Sequence, residues 1–342
     1  MSELQLVVLI VALALIFDFL NGFNDAANSI ATIVATRVLT PLQAVAWAAF
    51  FNFVSAFAFG TEVAKTIGGG MVNQEYVTQT VVLCGLVGAI SWTWLASHLG
   101  MPISASHALV GGYGGAAMAH ASLRDGLGGA LGALIGSGWW SMIAFIVIAP
   151  LLGMLGGGLL MVATTWAFRR KTPHQMNGYF RHLQLVSSAL FSFAHGSNDA
   201  QKTMGIIVSP LLAAGYVKTL EVPLWVIFAA HASIALGTLM GGWKVIRTMG
   251  HRLTRLNPMG GFCAETGGAA TVLFAAHLGV PASTTHTIAG AIAGVGTVRS
   301  LRAVRWHKAR EIVWAWVLTL PATIAVGALT YLLVRGALAV LH

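Results

Sequence analysis

Two short polar stretches interrupt an apolar chain, and each occurs twice. The first, Phe19-Leu-Asn-Gly-Phe-Asn-Asp-Ala-Ala-Asn28, sets Asn21, Asn24, Asp25 and Asn28 within two helical turns. Carboxylate and amide oxygens are the ligands a hard monovalent cation takes, and Gly22 is expected to let the helix open so that backbone carbonyls join them. A carboxylate deep in a membrane-spanning run must be paired, protonated or bound to a cation, because leaving it alone in hydrocarbon is costly. The pattern returns at His195, Asn198 and Asp199. Such a cluster can also serve only to hydrogen-bond helices together, but its recurrence favours an ion or substrate site.

The second stretch has a different chemistry. Pro102 and Pro281 each break a helix. The next residues, Ser104, Ser106 and His107 in one copy and Ser283, Thr284, Thr285 and His286 in the other, then lie where a helix resumes. A helix N-terminus offers free backbone N–H groups and the positive end of its dipole, and the hydroxyls add donors, so each apex suits an oxyanion. Simple N-capping by one hydroxyl is the plainer reading. Each apex has two or three hydroxyls, and two such ends meeting from opposite leaflets would surround a tetrahedral anion. His107 and His286 either touch that anion or bond the backbone.

These motifs belong to a duplicated chain. Leu99 to Gly111 (LGMPISASHALVG) recurs 179 positions later as Leu278 to Gly290 (LGVPASTTHTIAG), and Phe17 to Ala26 recurs 174 positions later as Phe191 to Ala200. Pro150 and Gly156 align more weakly with Pro321 and Gly327. With 57% apolar and 8% charged residues and a mean hydropathy of +0.79, the chain is an integral membrane protein, since soluble domains carry about 25% charged residues. Apolar runs that could cross or enter a bilayer lie near 4–20, 41–60, 77–98, 139–162, 183–195, 222–241, 260–277 and 311–334. They lack strand-like alternation, which excludes a β-barrel. No basic segment precedes the first run, so it reads as a span rather than a signal peptide. Cys84 and Cys263 lie in apolar runs without metal-ligand spacing and read as core residues; no metal site is expected.

The formal charge of +9 comes mainly from residues 169–182, 243–256 and 299–310, which hold thirteen of the nineteen basic residues. Basic loops face the cytoplasm, and the corresponding loops of the first half are poor in basic charge, so the two halves are expected to be inverted. Juxtamembrane charge also accounts for the high pI without nucleic acid. Segments 243–256 and 299–310 share a side if the stretch between them is a re-entrant helical hairpin with its apex at Pro281 to His286, or two complete spans. The expected fold is an all-α polytopic membrane protein: two inverted-topology repeats with broken helices and re-entrant helical hairpins around a central substrate site. The first repeat is 1–168, a cytoplasmic basic linker 169–182 and the second repeat 183–342, with both termini outside.

Gly22-Phe-Asn-Asp-Ala-Ala-Asn28, Ala194-His-Gly-Ser-Asn-Asp-Ala-Gln-Lys-Thr203 and Pro281-Ala-Ser-Thr-Thr-His286 resemble the duplicated signatures of the PiT family of inorganic phosphate transporters, along essentially the whole chain. The resemblance implies import of inorganic phosphate across the cytoplasmic membrane coupled to a cation gradient, and commonly a homodimer in the bilayer. It implies a cation or proton site near Asn24, Asp25, Asn28, Asn198 and Asp199, and phosphate at the two hydroxyl-rich apices. Glu265, an acid inside an apolar run, matches a family position implicated in transport. Beyond a co-transported proton or sodium ion, no cofactor is expected.

One departure bears on the coupling ion. Sodium-coupled relatives tend to repeat Asn-Asp-x-x-Asn in both halves, whereas here Lys202 stands in the second half where Asn28 stands in the first. An ammonium cannot ligate sodium. It can take the place of a cation, salt-bridge Asp199, lend charge to the anion, or snorkel to the interface. The substitution favours proton coupling, with Asp25, Asp199 or Glu265 as the titrating group. The competing functions are a sulfate permease and an intramembrane hydrolase built on Ser104 or Ser283 with His107 or His286. Catalysis needs one constellation, and both copies persist, so the chain is not expected to be an enzyme.

Overall fold

The computed structural model describes residues 2–57 and 60–341, with side chains at all of these except 250–252 and 341; positions 58 and 59 of the 41–60 run lie outside it. Among the described residues there is no strand beyond one isolated bridge between Val72 and Leu134. The helices are α1 (Glu3–Ala35), α2 (Pro41–Val54), α3 (Glu62–Gly69), α4 (Gln79–Leu99), α5 (Ala105–Asp125), the single turn α6 (Gly129–Gly132), α7 (Gly136–Ala167), α8 (Pro173–Ala213), α9 (Leu224–Met240), α10 (Trp243–Arg252), α11 (Pro258–His277), α12 (Thr284–Arg299) and α13 (Trp306–Leu341). α1 to α5 and α7 run parallel in order to α8 to α13. Among the described residues, α1, α4, α7 and α13 are long and apolar enough to cross a membrane. The bent pairs α2 with α3 (84°) and α9 with α10 (76°) bring the number of candidate spans to six.

The two apices form as their sequence dictates. Gly100 and Gly279, at corresponding positions, adopt φ of +70° and +69° and end α4 and α11 in the left-handed conformation that favours glycine. Two residues later Pro102 and Pro281 prevent continuation. Ser104 and Ser283 then accept from the backbone N–H of His107 and His286, both at 3.3 Å, and start α5 and α12. Each copy is thus a helical hairpin. The tips meet: Thr285 Oγ1 donates to the Ile103 carbonyl at 2.9 Å, and the rings of His107 and His286 lie 5.0 Å apart.

α1 and α8 cross antiparallel, since Asp18 pairs with Thr203, Asn21 with Asp199 and Thr36 with Gln184. Around them the packing is exchanged between halves: α5 lies along α13 and α12 along α7, while α1 packs on α9 and α8 on α2. Small residues permit this closeness. A Cβ on Gly290 would overlap the Pro150 carbonyl and one on Gly115 the Ile324 carbonyl, the close backbone approach that drives helix association in lipid. The outer faces of α7 and α13 expose Leu151, Leu155, Leu159, Leu329 and Leu333, as a lipid-facing surface does.

One expectation is corrected. α1 does not open at Gly22; it is continuous from Glu3 to Ala35, and the missing side chain instead admits the Ile234 carbonyl of α9, which a Cβ would overlap. The segment 169–182 is mostly helix. Thr172 and Gln175 form a capping box with Pro173 in the first turn, so α8 starts ten residues before the apolar run. The basic segments do converge in part: Arg305 N–H donates to the Leu253 carbonyl at 3.0 Å and Arg299 to the Arg255 carbonyl at 3.1 Å. Cys84 and Cys263 are buried and unpaired with each other.

Candidate functional site

Asp25 and Asp199 face each other across the α1–α8 crossing, and the hairpin tips close over them. Both are buried, as are Asn24, Asn28, Asn198 and Lys202. On the first-repeat side, Thr284 Oγ1 lies 3.3 Å from Asp25 Oδ2, and Thr285 Oγ1 lies 3.4 Å from both carboxylate oxygens. Asn28 Nδ2 donates to Thr285 Oγ1 at 2.9 Å and approaches Thr284 Oγ1 at 3.4 Å. The hydroxyls of the second hairpin are therefore in the same network as the first aspartate motif.

On the other side Lys202 Nζ has three acceptors: Asp199 Oδ1 at 2.7 Å, Ser106 Oγ at 2.5 Å and the Ala282 carbonyl at 2.9 Å. Its three N–H bonds are all used. These acceptors are the repeat counterparts of Asp25, Thr285 and Ile103, which are joined to one another by Thr285 Oγ1. A carboxylate, a hydroxyl and a backbone carbonyl form a cation-binding set, and in the second repeat the ammonium stands in the middle of it. Asn198 Nδ2 supports the arrangement with bonds to Asp199 Oδ1 at 2.8 Å and the Ala282 carbonyl at 2.9 Å. Asn24 does not join it; its Nδ2 donates to Ser97 Oγ at 2.8 Å.

His195 links the two halves. Its Nε2 is 3.5 Å from Asp199 Oδ2 and 3.9 Å from Asp25 Oδ2. Its Nδ1 is 3.2 Å from Asn52 Oδ1, and Asn52 Nδ2 is committed to Thr238 Oγ1 at 2.9 Å, so the Asn52 oxygen accepts and Nδ1 carries the hydrogen. A bare Nε2 lone pair would then face two carboxylates, an arrangement that a proton or cation between them stabilises. Ligand atoms of Asp25, His195 and Asp199 lie within 4.8 Å of one another. That is close enough to share one ion.

The remaining expected residues divide. Ser104 and Ser283 act as N-caps, which commits their oxygens to the helix. Capping leaves the first N–H groups of α5 and α12, at Ala105, Ser106, Thr284 and Thr285, without intrahelical acceptors. His107 Nδ1 is buried without a hydrogen-bond partner, and His286 is stacked on Trp316 at 3.9 Å with its ring toward the backbone of Ile146. Donors from two helix ends thus converge at the tips beside the carboxylates. Glu265 lies elsewhere. It accepts from Ser187 and Thr32 at 2.5 Å each and from Gln184 at 3.0 Å, in a separate network toward the C-terminal end of α1.

Sequence reasoning did not single out Thr32, Gln184, Ser187, Asn52, Ser97 or Asp18. Asp18, Asn21, Asp25, Asn28 and Thr32 are spaced three and four apart, one polar stripe down α1. That periodicity was the available signal.

Residues 21–327 match the phosphate transporter family. The chain is 50% identical over 327 residues to a probable low-affinity inorganic phosphate transporter of Rhizobium meliloti, covering 95% of this chain and 96% of the relative. It is 38% identical to the protein of that name in Bacillus subtilis, covering 97% and 98%. A solved structure titled as the sodium-dependent phosphate transporter superposes with a TM-score of 0.86 at 26% identity, covering 97% of this chain and 99% of that one.

Proposed function

The chain belongs to the phosphate transporter family, and on that premise we propose that it imports inorganic phosphate across the cytoplasmic membrane with a proton as the coupling ion. It is a multi-pass membrane protein and a transporter rather than an enzyme, as its relatives are named. The observation that carries the choice of ion is Lys202: its ammonium occupies, among Asp199, Ser106 and Ala282, the kind of position a second cation would need. One cation place is therefore filled by a tethered charge, and the other, at Asp25, Thr284 and Thr285, is where a proton binds. Sodium is the alternative ion, the one named for the solved relative.

In this reading phosphate enters at the hairpin tips, where the N–H groups of α5 and α12 and the hydroxyls of Ser106, Thr284 and Thr285 point to the same centre. His107 and His286 line that centre, and Lys202 balances part of its charge. The repeats are inverted, an arrangement supported by the antiparallel crossing of α1 and α8 and by tips that meet head to head. The N-terminus is then outside and segments 169–182, 243–256 and 299–310 are inside. Alternating access follows from rocking of these halves about the fixed site. Glu265 is a separate acidic station on the inner side, and a homodimer is proposed from the family resemblance.

Purified protein in proteoliposomes tests the function. Phosphate should accumulate under an imposed pH gradient, acid outside, in sodium-free buffer, and sulfate should neither accumulate nor compete. Accumulation that requires sodium and ignores the pH gradient would refute proton coupling. Preferential uptake of sulfate would refute the substrate.

A further inference from the structure

We propose that Asp18 is a proton-binding site of the transport cycle, distinct from the Asp25–Asp199 pair. This rests on the reading that a proton drives the cycle. Asp18 is fully buried in α1. Its Oδ1 accepts one hydrogen bond, from Thr203 Oγ1 at 2.9 Å, and its Oδ2 has no hydrogen-bond partner among the described residues. An ionised carboxylate has about four acceptor positions. One hydroxyl and a shared amide are a poor environment for it, whereas a protonated carboxyl needs much less.

The neighbours supply little more. Lys202 precedes Thr203 on α8, but its three N–H bonds are committed to Asp199, Ser106 and Ala282. Asn21, one turn along α1, shares its amide between Asp199, at 3.4 Å, and Asp18, which still leaves the carboxyl short of the four donors an ionised form takes. The titratable groups around Asp18 are few. α8 presents Asp199 and Lys202, with His195 beyond them. α9 carries His231, whose Nδ1 is 2.8 Å from the carbonyl of Ile227, and α4 carries Cys84 and His98; α2 has none. α10, α11 and α12 meet α1 farther along, with Lys244, Glu265 and His286, and α5 brings His107 at its tip. Three buried carboxylates, Asp18, Asp25 and Asp199, therefore share one lysine ammonium. Each remaining negative charge requires a bound cation or a proton.

Position and asymmetry give this carboxyl its role. Asp18 lies seven residues before Asp25 on the same face, about 10 Å nearer the N-terminal end of α1 at ~1.5 Å per residue. Its repeat counterpart is Ser192, whose hydroxyl simply bonds the Ser188 carbonyl at 2.8 Å. A proton-binding group present in one half only breaks the equivalence of the two ends of the pathway. On binding, a proton from water forms an Oδ2–H bond; on release, that bond breaks and the electron pair stays on the carboxylate.

Asp18→Asn, which mimics the protonated carboxyl, provides the test. The variant should fold, shown by thermal unfolding that inorganic phosphate still delays, yet lose phosphate accumulation driven by a pH gradient. Infrared spectroscopy of the wild type should show a protonated-carboxyl carbonyl band that changes on adding phosphate and is missing from Asp18→Asn. Undiminished gradient-driven accumulation by the variant, or an unchanged band, would overturn the proposal. If Asp18→Asn does not fold, Asp18→Glu keeps the acid and should retain gradient-driven accumulation; its loss in a folded Asp18→Glu protein would overturn the proposal as well. The two readings fail separately. A wild type driven only by sodium refutes proton coupling, and the presence or absence of the Asp18 band then still decides whether this carboxyl carries a proton.

Discussion

Replacing Lys202 by asparagine should convert a tethered cation place into an open one. The change restores Asn-Asp-x-x-Asn in the second half, leaving Asp199 Oδ1, Ser106 Oγ and the Ala282 carbonyl without the ammonium that now lies 2.5–2.9 Å from each. Removing one partner of a buried ion pair costs about 3–5 kcal/mol. At about 2 °C per kcal/mol for a large chain, Lys202→Asn in sodium-free buffer should unfold roughly 6–10 °C below the wild type. A cation that fills the place returns part of this, about 2.7 kcal/mol at 100 times its Kd. The assay is thermal unfolding of purified protein in sodium chloride against choline chloride at equal ionic strength, paired with phosphate uptake. The wild type should respond weakly to sodium, while Lys202→Asn should be selectively stabilised by it and lose proton-driven uptake. A variant as stable as the wild type and indifferent to sodium would refute the idea that Lys202 stands in for an ion.

Asp25→Asn and Asp199→Asn should each abolish accumulation of phosphate against a gradient while the protein still folds; wild-type accumulation by either would reduce these residues to structural hydrogen bonding. Replacing Ser283, Thr284 and Thr285 together by alanine should weaken phosphate binding, read by the phosphate concentration that half-protects against thermal unfolding. The capping part of that change, Ser283→Ala alone, should cost only about 1 kcal/mol of stability. Cysteines placed at Arg170, Arg255 and Arg305 in a protein lacking Cys84 and Cys263 should all resist an impermeant external thiol reagent in intact cells. Labelling of any one would contradict the inverted arrangement.

The sequence made the duplicated motifs visible because buried polar atoms in an apolar chain stand out and repeat at fixed offsets. It placed both breaks, since Pro102 and Pro281 cannot continue a helix. What it could not supply was the pairing of distant side chains. Thr284 and Thr285 read as anion donors, yet their hydroxyls engage Asp25 and Asn28, which depends on how α12 meets α1. Glu265 was grouped with the aspartates because it is an acid in an apolar run at a position the family resemblance marks, while its partners Thr32, Gln184 and Ser187 are single polar residues on two other helices. Gly22 was misread for a related reason: a glycine that opens a helix and one that admits a neighbouring backbone look the same until the neighbour is known.

The exchange of helices between halves has a consequence for biosynthesis. α5 is complete at Asp125, but the helix it lies along, α13, begins only at Trp306. The ribosome must add about 180 more residues, roughly 10–40 s at ~5–20 residues per second, before that groove is filled. During that interval the face of α5 that holds Gly111 and Gly115 lacks the helix it packs against. A nascent chain halted after its first half would therefore be an incomplete particle rather than a small stable protein, and a stop codon anywhere before α13 should send the product to membrane proteolysis.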